Sequence, residues 1–304
     1  MRVKSLLFLL GISLIWGSQF FFVDKVIESV QPVSLAAIKA IVGAVTLALI
    51  YGLMSKKSQE QQTTPRPKKN LGILFLTIAL FEAVFPFFLI GWGQQRVSSS
   101  IASIIMGTIP IFTLLILFIL RISRLRMLHF LSIGIGFAGI LIMILPTLTI
   151  DFGNQSLWGM AALIGASLSF ALSLVLLEKL PPMSSVLAMR NVLFIASIIL
   201  IPLSFITENP LSIRLTPFEL ISLLILGVFH AGIVYMMYNT LIKQSGAAFA
   251  ALTNYIVPVI GVILGTLLLG DLISGNTWFA LIIIMVSLLL GSMASKNKPS
   301  AEPQ

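Results

Sequence analysis

Four ionisable side chains, Lys39, Glu82, Arg190 and His230, interrupt stretches that are otherwise apolar. In a low-dielectric setting such groups do two kinds of chemistry. A lysine or arginine draws a substrate carboxylate, and a glutamate or histidine takes up and releases a proton. The four also fall into two pairs. Lys39 corresponds to Arg190, with Pro32 and Pro182 preceding them by seven and eight positions, and Glu82 corresponds to His230. Plainer readings stand beside these. Lys39 can pair with Glu82, Arg190 can snorkel to the end of its helix, and a buried histidine can simply be hydrogen-bonded. Glu82 lies twelve residues into its apolar run and His230 fourteen, depths at which snorkelling is hard. These two are therefore the candidate proton-coupling residues, and Lys39 is a candidate substrate-binding residue.

Polar and aromatic groups near them complete a candidate substrate-binding set. Trp16-Gly17-Ser18-Gln19 breaks an apolar run, and Gln19 has no reason to face lipid. Tyr235 and Tyr238 offer aromatic walls, and Asn254 and Tyr255 add polar groups. Three prolines, Pro86, Pro110 and Pro258, fall inside apolar runs, where each removes a backbone hydrogen bond to the residue four before it. They are expected to kink or gate helices, with Pro258 releasing the carbonyl of Asn254 and Pro110 that of Met106. Catalysis is not expected. No nucleophile stands with a base, no helix core holds an aspartate, and there are no cysteines, so neither a metal centre nor a cofactor is indicated. Gly134-Ile135-Gly136-Phe137-Ala138-Gly139 spells a dinucleotide fingerprint. It sits within an apolar run rather than after a strand, so its small residues mark close helix packing instead.

The elements that must hold these groups follow from composition. Hydrophobic residues make up 58% of the 304 and charged residues 10%, against about 25% charged in an ordinary soluble domain. Apolar runs of the length needed to cross a bilayer, about 20 residues, recur near 5–23, 34–54, 71–93, 101–120, 127–147, 157–177, 185–206, 217–241, 248–269 and 275–293. The first is too long for a signal peptide and lacks a cleavage motif, so it is expected to be retained. The net charge of +9 does not indicate nucleic acid. With the N-terminus in the cytoplasm, fourteen of the nineteen Lys and Arg residues fall in inside segments, the bias that orients membrane proteins. Both termini are then cytoplasmic. The segment 55–70, polar and proline-broken, reads as a cytoplasmic linker.

The two halves of the chain also repeat each other. Shifted by 148 positions, residues 75–120 fall on 223–268. Phe81-Glu82-Ala83 then meets Phe229-His230-Ala231, and Pro110 meets Pro258. At a shift of 154, Gly11-Ile12-Ser13-Leu14 meets Gly165-Ala166-Ser167-Leu168. Five runs per half is an odd number, so the second half starts from the opposite side of the membrane. The expected fold is an all-α membrane protein of ten transmembrane helices in two five-helix inverted repeats. Residues 1–147 form the first repeat, 148–156 an external linker, 157–293 the second repeat and 294–304 a disordered cytoplasmic tail. Inverted halves of this kind support alternating access.

Trp16-Gly17-Ser18, the stretch from Pro32 to Lys39, and Val97-Ser98-Ser99-Ser100 through Pro110 resemble the EamA family of the drug/metabolite transporter superfamily. Ser245-Gly246-Ala247-Ala248 through Pro258, followed by Gly270-Asp271, resembles the same domain's ending, and the resemblance spans 5–293. Members more often carry arginine where Lys39 stands and glutamate where Asp271 stands. Both changes keep the charge, though lysine lacks the planar fork of arginine. The resemblance implies an inner-membrane exporter of amino acids, related metabolites or small drugs, with a central cavity between the repeats. The expected partners are a small-molecule substrate and the lipid bilayer, with no nucleic acid. Proton coupling is one option, and so are a monomer and a homodimer. Amino-acid-like cargo is the first reading, efflux of drugs or organic cations the second, and an intramembrane enzyme the third.

Overall fold

The computed structural model describes residues 2–54, 70–121, 127–148, 155–245 and 253–296. Among them the regular structure is helical throughout, without a strand. In chain order the helices are α1 (Arg2–Val26), α2 (Pro32–Leu53), α3 (Leu71–Gln94), α4 (Ser99–Ile119), α5 (Met127–Leu148), α6 (Gln155–Leu177) and α7 (Ser185–Thr207). α8 runs through Pro217–Ile225, Leu226–Ile233 and Val234–Ser245, α9 through Thr253–Leu264 and Gly265–Leu269, and α10 spans Gly275–Lys296. Seven of these, α1–α4 and α6–α8, are long and apolar enough to cross a membrane. The shorter apolar stretches Met127–Met143, Ile256–Leu269 and Gly275–Gly291 lie on α5, α9 and α10.

The expected runs and the helices agree to within a few residues at most ends. α10 continues through Lys296, into the segment expected to be a tail. The rest of that tail, the 55–69 part of the cytoplasmic linker and the 149–154 part of the external linker lie outside the described residues. Helix starts follow familiar chemistry. Pro32 and Pro217 occupy first turns, where a missing N–H costs nothing. Ser98 and Ser184 accept from the backbone amides of Ile101 and Leu187. The first turn of α2 is capped from another helix. Glu208, at the end of α7, accepts from the Val33 amide at 2.8 Å, the Ser34 amide at 2.7 Å and the Ser34 hydroxyl at 2.6 Å.

Large apolar side chains lie on the outside, among them Leu7, Leu49 and Ile206, while serines such as Ser13, Ser103, Ser173 and Ser287 are buried. Lipid gives helices no hydrophobic reason to associate, so small residues and interhelical hydrogen bonds do that work. Most of the packing joins one half to the other. α2 lies on α7, α5 on α10, α1 on α8 and α9, and α6 on α3 and α4, with α4 also touching α9. A Cβ on Gly17 would come within 2.6 Å of Ile260 on α9, and one on Gly43 within 2.8 Å of Ala231 on α8. Between α5 and α10, Ser132 donates to the Ser287 carbonyl at 2.8 Å and Ser287 returns the bond to the Ser132 carbonyl at 2.7 Å. Gly136 and Gly139 pack closely against α4 and α10, which accounts for two glycines of the false dinucleotide motif. Gly134 meets nothing.

The three prolines stand in different surroundings. Pro110 does not bend a continuous helix: α4 breaks at Gly107 and Thr108, and Pro110 stands in the first turn of the following segment, Ile109–Ile119. Pro86 likewise follows an interruption, a π-helical turn over Leu80–Val84, and opens the segment Phe85–Gln94. There the Phe85 amide bonds the Leu80 carbonyl, five residues back. The wider register accommodates a residue without an N–H. Pro258 lies inside its helix.

Candidate substrate site

The helix order places six of the predicted residues in three contacting sets: Gln19 with Lys39, Glu82 with Tyr235 and Trp16, and His230 with Ser18. α1 contributes Trp16 and Gln19, α2 Lys39, α3 Glu82, and α8 His230 and Tyr235. Lys39 is 4% exposed, and Glu82 and His230 are 3% each. Glu82 accepts from the Tyr235 hydroxyl at 2.7 Å and from the Ser173 hydroxyl of α6. A carboxylate from the first half is thus held by two hydroxyls from the second. The Lys39 ammonium donates to Gln19 Oε1 at 3.3 Å and lies 4.2 Å from the centre of the Phe87 ring. Among the described residues the sole ion pair is Lys25 with Asp24, at 3.8 Å. The Lys39–Glu82 pairing considered from sequence is therefore not formed. An ammonium carries three donors, so one long neutral hydrogen bond and one ring leave capacity for an anionic group.

His230 sits between α8 and α1. Its Nδ1 lies 3.1 Å from the Ile225 carbonyl and its Nε2 3.2 Å from the Ser18 hydroxyl. A carbonyl only accepts, so Nδ1 carries hydrogen, while the Ser18 hydroxyl beside Nε2 also lies 3.0 Å from the Ile15 carbonyl, to which it donates. Phe22 meets the same ring edge-on at 5.7 Å. Trp16 packs against Tyr238 at 5.0 Å and against Tyr235 at 6.4 Å, forming an aromatic wall beside Glu82. Asn254 is half-buried on α9, the helix that packs on Gly17. Tyr255 belongs to that helix, but its side chain lies outside the described residues. Arg190 stays apart, donating to Asn191 at 2.9 Å and 3.2 Å and resting 5.1 Å from the Tyr51 ring.

Glu82 and His230 each stand on a π-helical turn, Leu80–Val84 and Leu226–Ile233. Such turns widen a helix locally and recur at functional sites. Hydropathy carries no sign of them, because the winding does not alter which residues are apolar. Three contacts were missed for a different reason. Ser18, Phe87 and Ser173 are ordinary membrane-helix residues, yet the repeat offered a signal for two of them. The shift of 154 sets Ser173 on Gln19, and the shift of 148 sets Tyr235 on Phe87. Equivalent positions thus hold an ammonium in one half (Gln19, Phe87) and a carboxylate in the other (Ser173, Tyr235). Among the described residues no group of three or more His, Asp or Glu side chains is placed to hold a metal ion.

Comparison with known proteins agrees with this architecture. The chain is 28% identical to the uncharacterized inner membrane transporter YedA of Escherichia coli over 100% of its own length and 97% of the relative's. It is 27% identical to protein PagO of Salmonella typhimurium, over 97% and 94%. With the uncharacterized transporter YoaV of Bacillus subtilis it shares 23%, over 97% and 99%. A crystal structure of a protein 16% identical superposes with a TM-score of 0.67 across 98% of this chain and all of the other, a likeness of fold. The EamA-like transporter family matches residues 3–145 and again 156–293. Apolar helices of membrane length, matched over both halves, make this chain a member of the EamA-like transporter family.

Proposed function

We propose that the protein is a secondary transporter that exports small metabolites carrying a carboxylate, amino acids foremost, by alternating access between two inverted repeats. The observation that carries the reading is Lys39, a buried ammonium with no carboxylate within salt-bridge distance among the described residues. A buried charge left without a counterion is costly. A substrate carboxylate is the counterion that this site accepts. Glu82, held by hydroxyls of the opposite half, is the proton carrier, and His230 is the second candidate for that role. Trp16, Gln19, Tyr235, Asn254 and Tyr255 line the path.

Ten crossings, with both termini in the cytoplasm of a cell-membrane protein, are the reading that the distribution of basic residues supports, with α5, α9 and α10, which carry shorter apolar stretches, added to the seven longer helices. Inverted repeats are supported by the contacts between helices. Exchange α1–α5 with α6–α10, and the α1–α9 contact becomes α6–α4, the α1–α8 contact becomes α6–α3, and α2–α7 and α5–α10 map onto themselves. The reciprocal bonds of Ser132 and Ser287 are those that a two-fold axis between α5 and α10 would give. In this mechanism α1–α4 rock against α6–α9 while α5 and α10 serve as scaffold. The π-turns at Glu82 and His230 and the break before Pro110 are where the helices give.

A second reading, efflux of aromatic organic cations, is favoured by the Trp16, Tyr235 and Tyr238 wall beside Glu82. Counterflow in proteoliposomes separates the two. Vesicles preloaded with unlabelled amino acids should accelerate entry of labelled aromatic or small neutral amino acids. No trans-stimulation by any amino acid, with stimulation by organic cations, would replace the first reading by the second.

A further inference from the structure

Three carboxylates of the second half reach across to the first. Glu208, at the end of α7, accepts from the Val33 and Ser34 amides and the Ser34 hydroxyl in the first turn of α2. Glu219, in the first turn of α8, accepts from the Ser29 hydroxyl in the turn between α1 and α2. Asp271, between α9 and α10, accepts from the Ser100 amide at 2.9 Å and the Ser100 hydroxyl at 2.7 Å, in the first turn of α4. Gly270, at φ 73°, turns the chain there, and the Asp271 amide bonds the Gly265 carbonyl. Gly265 leaves room for the approach, since a Cβ on it would come within 2.2 Å of Ser100 Oγ. Hydrogen bonds to an ionised carboxylate are roughly twice as strong as neutral ones. Glu208 and Asp271 also stand at helix starts, where the helix dipole favours negative charge. Among the described residues none of the three forms an ion pair, so the groups that hold them are neutral.

In the ten-span arrangement all three contacts lie at the outer end of the molecule. α2, α4 and α8 start there, and α7 and α9 finish there. The halves also meet backbone to backbone at that end. A Cβ on Gly93 of α3 would lie 2.8 Å from Leu163 and 3.0 Å from the Gly159 carbonyl, both of α6. A cavity of about 320 Å³ at this end is lined by Asp24, Ile27, Glu28, Gln94 and Gln95, all of the first half, so it is no opening between the halves. The mirrored positions at the inner end are of different chemistry. Carried through the repeat, Glu219 falls on Leu71, Asp271 on Ser123, and Glu208 on Lys57 or Ser58. Gly93 and Gly159 fall on Leu241 and Ser5. Identical inverted halves would close either end equally well, but here the mirrored positions carry no carboxylate. A two-state carrier favours the state in which it makes the stronger contacts. We propose that Glu208, Glu219 and Asp271 form a latch on Ser29, Ser34 and Ser100 that holds the protein shut to the outside, so that it rests facing the cytoplasm. The latch deepens the alternating-access reading and rests on it.

The test is double electron–electron resonance on the full-length protein in lipid nanodiscs, with spin labels on introduced cysteines, since the chain has none of its own. Gln95 with Ser212 spans the outer end and Leu53 with Lys179 the inner, and all four are exposed. With the latch intact the outer pair should give one dominant short distance. The triple substitution Glu208→Gln, Glu219→Gln and Asp271→Asn should raise the share of a longer outer distance about tenfold or more while the inner pair closes. Outer distances unchanged by the triple substitution, or already mostly long without it, would overturn the proposal. Should the triple variant fail to fold, Ser29→Ala with Ser100→Ala removes two partners instead and should lengthen the same distance. No change in that variant would equally overturn it. Labelling of Gln95→Cys by an impermeant maleimide on intact cells reports the side separately. Opening at the latch with Gln95 found inside would refute the ten-span topology and, with it, the side on which the latch acts. No opening with Gln95 found outside would refute the latch and leave the transport reading standing.

Discussion

Glu82 accepts from Tyr235 and Ser173, and both partners are hydroxyls that can turn from donor to acceptor when the carboxyl takes up a proton. The site is thus chemically able to hold either protonation state without an unsatisfied atom. Glu82→Gln keeps the shape and removes the titration. The variant should show flux that no longer changes with pH while cargo binding persists, and a preserved pH profile would sink the proton role. Tyr235→Phe leaves the carboxylate with Ser173 alone and should cost about 1–2 kcal/mol of stability, seen as a lower melting temperature in detergent. Lys39→Met behaves in the opposite sense. Removing a buried charge that has no counterion should leave the melting temperature unchanged or raised, whereas transport of carboxylate cargo should fall about tenfold or more. A variant that unfolds would show that Lys39 is structural. The residue types here were legible in the chain, because ionisable groups in apolar runs announce themselves. Their partners were not, since the sequence equally allows Lys39 to meet Glu82, and it meets Gln19 and Phe87.

Helix α9 shows how closely the elements approach. A Cβ on Gly261 would lie 2.2 Å from the Ser103 Cβ on α4, an atom with no freedom to move aside. Gly134 on α5 meets nothing within 4 Å. The same change, glycine to alanine, should therefore act oppositely at the two sites. Gly261→Ala should destabilise by about 1–3 kcal/mol through overpacking, and Gly134→Ala should be neutral or stabilising by up to about 1 kcal/mol. Comparing their melting temperatures checks the α4–α9 packing directly. Helix extents were readable from apolar run length. The π-turns at Glu82 and His230 and the break in α4 were not. Hydropathy records which residues avoid water, and says nothing of how tightly the backbone winds.

For the molecule as a whole, side of membrane is the property to measure. The chain has no cysteine, so a single introduced thiol reports its own side. Ser212, exposed between α7 and α8, and Lys179, exposed between α6 and α7, belong on opposite faces in the ten-span arrangement. Ser212→Cys should react with an impermeant maleimide on intact cells, and Lys179→Cys only after permeabilisation. Both reacting from outside would refute the inverted topology. The amino-acid order alone established the all-helical membrane character, the two related halves and the family, because bilayer solubility and repetition are written in composition and spacing. Which half supplies the partners of each charge was decided only by the assembled helices. Glu82 meets its hydroxyls, α2 its Glu208 cap, and Ser132 its Ser287 partner across interfaces between distant segments. Such contacts depend on how helices dock through small residues and on the backbone register at the π-turns, and neither is encoded in any one stretch of sequence.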